Sequence, residues 1–180
     1  VSEYFNTDSN SDKVIQGINL VEFTADNEAL LNDNIDKLTQ QLDALASKDN
    51  PVSIGYSIAM GSQAVNKIWA MRKKAVGLLG NSKGEARPIP FVEDTAVPPE
   101  NLADFILEFR QLLDSHQLEY GMFGHVDAGV LHVRPAIDMK DPQQITLIRQ
   151  ISDQVVALTQ KYNGLLWGEH GKGVRSEYAP

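Results

Sequence analysis

Residues 118–135 read LEYGMFGHVDAGVLHVRP, and this stretch sets the fold expected of the chain. Two strand-like runs, Leu118 to Val126 and Leu131 to Pro135, flank the short segment Asp127 to Val130, which predicts an antiparallel hairpin. The hairpin carries two histidines, His125 and His132. A loop of two or four residues centred on Ala128-Gly129 sets them directly opposite each other on one face. Their Cβ atoms are then about 4.5–5.5 Å apart, and both imidazoles can reach one metal ion. A loop of three turns them to opposite faces. Arg134, two residues beyond His132, shares that histidine's face.

Outward from the hairpin, the pattern alternates between the strand and helix periods. Downstream, Asp141 is a good helix cap, Pro142 fits the first helical position and Gln144 completes a capping-box variant. Ile148, Ile151, Val155, Leu158 and Tyr162 then form a buried stripe. A short strand near Leu165 to Trp167 follows. Upstream, Pro98-Pro99 suits the first turn of a helix whose core face is Leu102, Phe105, Ile106, Phe109, Leu112 and Leu113. Before it come an extended run, Ile89 to Ala96, and a loop marked by Gly80, Gly84 and Pro88. An earlier helix starts near Ser62 with Ala64, Ile68, Met71, Ala75 and Leu78 on one face, preceded by a strand from Val52 to Ala59. Earlier still, Asp26 caps a helix with Leu31, Ile35, Leu38, Leu42 and Leu45 in step, ended by Pro51, after a strand from Val14 to Phe23. Residues 1–13 are polar and read as an irregular leading segment. Four amphipathic helices can cover one face of a sheet, so residues 14–180 are expected to form one α+β domain. The architecture expected is a ferredoxin-like layered antiparallel sheet with helices mainly on one face.

Composition narrows the chemistry. The 180 residues are 42% hydrophobic and 22% charged, as in an ordinary globular domain with one core. The formal net charge of −8 argues against nucleic acid or an anionic membrane as the main partner, because either polyanion would be repelled. No apolar run approaches the roughly 20 residues that span a bilayer, and the N-terminus lacks a secretory pattern. With no cysteine, a disulfide scaffold, a thiolate nucleophile and thiolate metal ligation are excluded, so a metal must be held by His, Asp or Glu. A chain starting at Val1 and stopping at Pro180 reads as a domain excised from a longer protein.

A second chemical segment, Gly168-Glu169-His170-Gly171-Lys172-Gly173, lies near the end of the chain. Alone it is more simply a solvated Glu-His pair in a surface loop. With the hairpin it completes a His-His-Glu set with a spare imidazole. A metal so held keeps open positions where a substrate oxygen loses its proton more easily. Arg72, in Ile68-Trp69-Ala70-Met71-Arg72-Lys73-Lys74, borders a helix's apolar stripe and could grip a carboxylate bidentately, although a solvated basic face is the plainer reading. Arg134 is a second candidate anion holder, whose plainer role is pairing with an acid. His116 reads as structural or surface. Lys172 and Arg175 could attract an anion, but Gly171-Lys172-Gly173 is too short for a phosphate-binding loop. Residues alone leave three classes open: a metal-assisted enzyme acting on a substrate oxygen, a non-catalytic small-molecule or metal-binding regulatory module, and a metal-dependent hydrolase in which His170 activates water.

Taken together, Leu20-Val21-Glu22-Phe23, Ile68 to Arg72, Glu93-Asp94-Thr95-Ala96-Val97-Pro98, the hairpin histidines and Gly168-Glu169-His170-Gly171 resemble a known domain. It is the C-terminal, substrate-side domain of FAD-linked oxidases of the vanillyl-alcohol-oxidase type. That group includes D-lactate dehydrogenases, glycolate oxidase subunits and D-2-hydroxyglutarate dehydrogenases. The resemblance implies a ferredoxin-like domain closing over FAD, which is held mainly by a domain outside this chain. The implied reaction oxidises a D-2-hydroxy acid of the lactate, glycolate or 2-hydroxyglutarate type to the 2-oxo acid by hydride transfer to FAD. Position by position, it makes His125, His132 and Glu169 ligands of a divalent metal, with zinc ahead of iron or manganese. It makes His170 the catalytic base and Arg72 a binder of the substrate carboxylate, with Arg134 as a second contact. The chain departs from the family pattern at Asp127-Ala128-Gly129-Val130, where Gly-Asp-Gly-Asn is common, and at Arg134, where many relatives have Asn. Implied partners are the anionic substrate, the FAD-binding domain of the same protein and an electron-transfer domain or acceptor, without nucleic acid or a transmembrane segment. The expected location is cytoplasmic, with peripheral membrane association open to the full-length protein, and the isolated domain is expected to be inactive.

Overall fold

The computed structural model describes residues 17–46, 55–78 and 84–171, apart from the side chains of residues 46 and 76–78. The leading segment 1–13, Pro51, Gly80, Lys172 and Arg175 therefore lie outside the described residues, as do residues 14–16 and 52–54 of two expected strands. The chain divides into two compact units, Val1–Asn66 and Lys67–Pro180.

The first unit contains α1 (Glu28–Ala46) and the start of α2 (Ser62–Leu78). Asn27, not Asp26, caps α1: its Oδ1 accepts the Leu30 amide at 2.9 Å, leaving Asp26 one position too early. Neither strand expected here forms over the described residues, since 17–25 and 55–60 carry no regular structure. Leu20, Val21 and Ile58 are exposed in these runs. Alternating apolar residues become a strand only when a neighbouring backbone takes their hydrogen bonds, and none is described beside them.

The second unit holds β1 (Arg87–Pro88), β2 (Thr95–Ala96), α3 (Leu102–Ser115), β3 (Tyr120–His125), β4 (Val130–Ile137) and α4 (Pro142–Lys161). β4 is central and antiparallel to all its partners. β3 flanks it on one side, and β1 and β2 pair with its two ends on the other. The expected extended run Ile89–Ala96 is thus strand only at its end. Pro90 has no amide to donate, and Phe91 turns back to the Ile89 carbonyl before Asp94 donates to Leu131 O at 2.9 Å. Leu165 bridges Ala96 on the outer edge. Across the sheet the order is therefore Leu165, β1/β2, β4, β3, in a chain running strand, helix, strand, strand, helix, strand. This is the split βαβ arrangement of a ferredoxin-like α+β domain.

Alternation along β4 separates two faces. Leu131, Val133 and Ile137 join Phe105, Phe109 and Leu113 of α3 and Ile151, Val155 and Leu158 of α4 in one buried core. Among the described residues, α3 and α4 are the helices that contribute buried side chains to this core. Both helical stripes match the sequence period. At the N-terminus of α4, Asp141 accepts the Gln143 amide as expected, but Gln144 Oε1 takes the Asp138 amide at 2.8 Å rather than closing a capping box. The other face of β4 carries His132 and Arg134, and there the chemistry gathers.

Candidate active site

The hairpin loop has four residues, Val126 to Gly129, and it is centred one position earlier than Ala128-Gly129. Consequently His125 pairs with Val130, and His132 faces Phe123 rather than His125. Residues two apart on a strand share a face, so the histidines remain diagonal neighbours on one side of the sheet, with ring centroids 5.6 Å apart. Gly129 fixes this register. It closes a 3-10 turn over Val126–Ala128 at φ 67, and a Cβ there would strike the Val97 carbonyl oxygen, so only glycine fits.

The loop after Leu165 brings in the other half. Gly168 donates to the Asp94 carbonyl at 2.8 Å, which sets Glu169 and His170 beside the hairpin histidines. Glu169 Oε1 lies 2.8 Å from His132 Nε2, 3.2 Å from His170 Nε2 and 3.5 Å from His125 Nε2. His170 stacks on His132 with centroids 5.0 Å apart and planes 19° from parallel. Three imidazole nitrogens thus converge on one carboxylate oxygen. His132 is buried, whereas His125 and His170 have side-chain exposures of 37% and 57%, so among the described residues the cluster is open on the side of these two histidines.

The arrangement fits a divalent cation by its donor chemistry. Neighbouring ligand atoms around a tetrahedral ion with bonds of about 2.0–2.1 Å lie roughly 3.3 Å apart, close to the spacings around Glu169 Oε1. Burial pushes the His132 pKa below the ordinary histidine value, against the upward pull of the Glu169 and Glu93 carboxylates. That favours the neutral imidazole a metal requires. A compact quartet of potential donors comprises Asp94, His132, Glu169 and His170, with ligand atoms within 4.8 Å of one another. Both Asp94 carboxylate oxygens already accept backbone amides, from Glu169 and His170, at 2.9 Å each. His125 reaches the cluster through Glu169.

The arginines part company. Arg134 grips Glu93 with two hydrogen bonds, Nε to Oε2 at 3.1 Å and Nη2 to Oε1 at 2.9 Å, and lies over the Phe123 ring. Its pairing with an acid is therefore realised, although a guanidinium has five N–H donors and some remain for a second anion. Arg72 lies outside the cluster; its cation stands 5.4 Å from the Trp69 ring centroid. His116 contacts Gln154 at 3.0 Å, away from the cluster.

Sequence reasoning missed Glu93 and Asp94 as site residues. Glu93 Oε1 stands 3.5 Å from His132 Nδ1, a buried nitrogen without a hydrogen-bond partner in the structure. The signal was present: two consecutive acids within the apolar run Phe91 to Val97 are costly to bury unless each has partners waiting.

The family described as FAD linked oxidases, C-terminal domain, matches residues 2–179. The chain is 63% identical over 169 residues to the D-2-hydroxyglutarate dehydrogenase of Escherichia coli (strain K12), covering 94% of this chain and 17% of that protein. It is 58% identical over 180 residues to the enzyme of that name from Pseudomonas putida, covering 100% of this chain and 17% of the relative. A Haemophilus influenzae protein of the same name is 58% identical over 172 residues, covering 96% of this chain and 17% of its own length. The chain thus spans about a sixth of the length of the curated relatives it matches. A match along nearly every residue places this chain in the family of FAD-linked oxidases, as their C-terminal domain.

Proposed function

We propose that this chain is the substrate-side domain of a flavin-dependent dehydrogenase that oxidises a D-2-hydroxy acid, of the 2-hydroxyglutarate class, to the 2-oxo acid. The observation that carries the reading is the convergence of His132, His170 and His125 on Glu169 Oε1 in a chain so close to proteins named D-2-hydroxyglutarate dehydrogenase. His125, His132 and Glu169 would hold a divalent metal, zinc or another ion accepting nitrogen and oxygen ligands. FAD comes from a domain outside these residues; what this domain offers it is the exposed His170 side chain, which a flat ring can approach.

When bound, the metal supplies positive charge that makes the substrate hydroxyl more acidic, and FAD supplies the hydride acceptor. The residues do the rest. His170, exposed and stacked on His132, takes the hydroxyl proton as general base. Burial favours the neutral form of His132. The free donors of Arg134, with Arg72, bind the carboxylates and hold the C2–H bond in a fixed direction. Two guanidinium groups suit a substrate with two carboxylates. An electron-transfer domain or acceptor belongs to the full-length protein. Among the described residues no helix is long and apolar enough to cross a membrane.

The test is a substrate screen on the flavin-loaded full-length protein. D-2-hydroxyglutarate should reduce the flavin with a higher kcat/KM than D-lactate or glycolate, and dialysis against a chelator should abolish turnover until Zn²⁺ or Mn²⁺ is restored. Flavin reduction by none of these acids would overturn the reading, and full activity after verified metal removal would overturn its metal component.

A further inference from the structure

Asp94 is among the most constrained residues described in the second unit. It is 3% exposed and adopts φ 70, a left-handed conformation uncommon outside glycine, though Asp and Asn tolerate it better than other side chains. Every polar group it owns is engaged. Its amide donates to Leu131 O at 2.9 Å and its carbonyl accepts the Gly168 amide at 2.8 Å. Its two carboxylate oxygens accept the Glu169 and His170 amides. One residue therefore fastens β4, which carries His132, to the loop carrying Glu169 and His170, 75 and 76 positions away in sequence.

The backbone conformation has a purpose within this geometry. In regular strand, consecutive side chains point to opposite faces. The left-handed turn at Asp94 breaks that alternation, so Glu93 reaches His132 and Arg134 while Asp94 reaches the neighbouring loop. Strained backbone of this kind persists where surrounding contacts fix it, commonly at functional sites.

We infer that Asp94 is a positioning residue for the reaction centre: its carboxylate, through paired hydrogen bonds to consecutive amides, sets where Glu169 and His170 stand relative to His132. Touching neither substrate nor cofactor, it acts through those two residues. The inference rests on the proposed metal site only for one arm of its test.

Three variants of the full-length protein separate the carboxylate from the backbone turn. Asp94→Gly keeps the left-handed conformation without strain but removes both acceptors. Asp94→Asn keeps shape and conformation, yet its amide oxygen serves one amide while its NH₂ group faces the other. Glu100→Gln, at an exposed position in the turn before α3, is the control. In metal-free protein, hydrogen exchange of peptides covering 165–171 should accelerate about tenfold or more in Asp94→Gly and less in Asp94→Asn, with core peptides of α3 unchanged. Zn²⁺ affinity by chelator competition should weaken about 10–100-fold in both, the range for losing an outer partner of a metal ligand. The control should match wild type in both measurements. A purely structural role predicts that Asp94→Gly, with its backbone conformation retained, behaves as wild type in Zn²⁺ affinity, and that result would overturn the inference. If wild type itself takes up no Zn²⁺, the metal reading falls separately, and unchanged exchange at 165–171 in Asp94→Gly would still overturn the positioning role.

Discussion

The two faces of β4 are made from alternate residues of one eight-residue strand, yet they are held by different physics. Leu131, Val133 and Ile137 face α3 and α4 in a dry core, where stability follows from buried area and good packing, and residues of similar volume can exchange. His132 and Arg134 instead face named polar partners: Glu169 for one imidazole nitrogen, Glu93 for the guanidinium. The first face tolerates approximation. The second depends on specific distances, which residues such as Asp94 are placed to hold.

Breaking each face separately should give opposite signatures. The largest effect is expected at the polar face: His170→Ala in the full-length enzyme should lower kcat by about 10²–10⁴-fold, while its melting temperature stays within about 2 °C of wild type because the side chain is exposed. Retained turnover would remove His170 from the role of base. At the core face, Phe109 is fully buried and meets Phe105 edge to face at 5.6 Å. Phe109→Ala should cost about 3–5 kcal/mol in urea unfolding, with kcat per folded molecule unchanged. Loss of activity ahead of stability would mean that the two faces are coupled.

A smaller effect sharpens the contrast at a polar cluster joining α3 to the end of α4. Glu108 on α3 accepts from Lys161 Nζ and from Tyr162 Oη, each at 2.6 Å. These bonds hold its carboxyl below the ordinary value of 4.5 and push the Tyr162 phenol up to about 12. Because the folded-state value of Glu108 is depressed, its stabilisation is fully present above the unfolded value and is lost as pH falls through the folded one. The gap in melting temperature between wild type and Glu108→Gln should therefore shrink from about pH 5 to about pH 3. A constant gap would show that charge at Glu108 is irrelevant.

The same division explains what could be read from the sequence. Leu102, Phe105, Phe109 and Leu113, and Ile151, Val155 and Leu158, recur at the helical period because one face of each helix must be apolar, and that regularity survives in the letters. His132, Glu169 and His170 were legible as residue types, and the four-residue loop is one of the lengths that set both histidines on one face. Their register was not legible. It depends on the 3-10 turn at Val126–Ala128 and on the left-handed Gly129, which decide where β4 begins. Asp94 was hidden for a related reason: its role comes from a backbone conformation that no periodicity announces. In the runs at 17–23 and 55–59, alternation was legible but no partner backbone meets it among the described residues.

The bonds between Asp94 and the Glu169-His170 amides also bear on how the domain comes into being. A contact between positions 94 and 170 closes a loop containing all of α3, the hairpin and α4, and such distant closures come late when a chain folds because their entropy is repaid only by what has already assembled. On a ribosome, the core can collapse as α4 emerges, but the cluster of histidines around Glu169 cannot form until Gly168 to Gly171 have been threaded out. A protein truncated just before Gly168 would keep most of its hydrophobic interior and lose Glu169 and His170, on which the proposed chemistry rests.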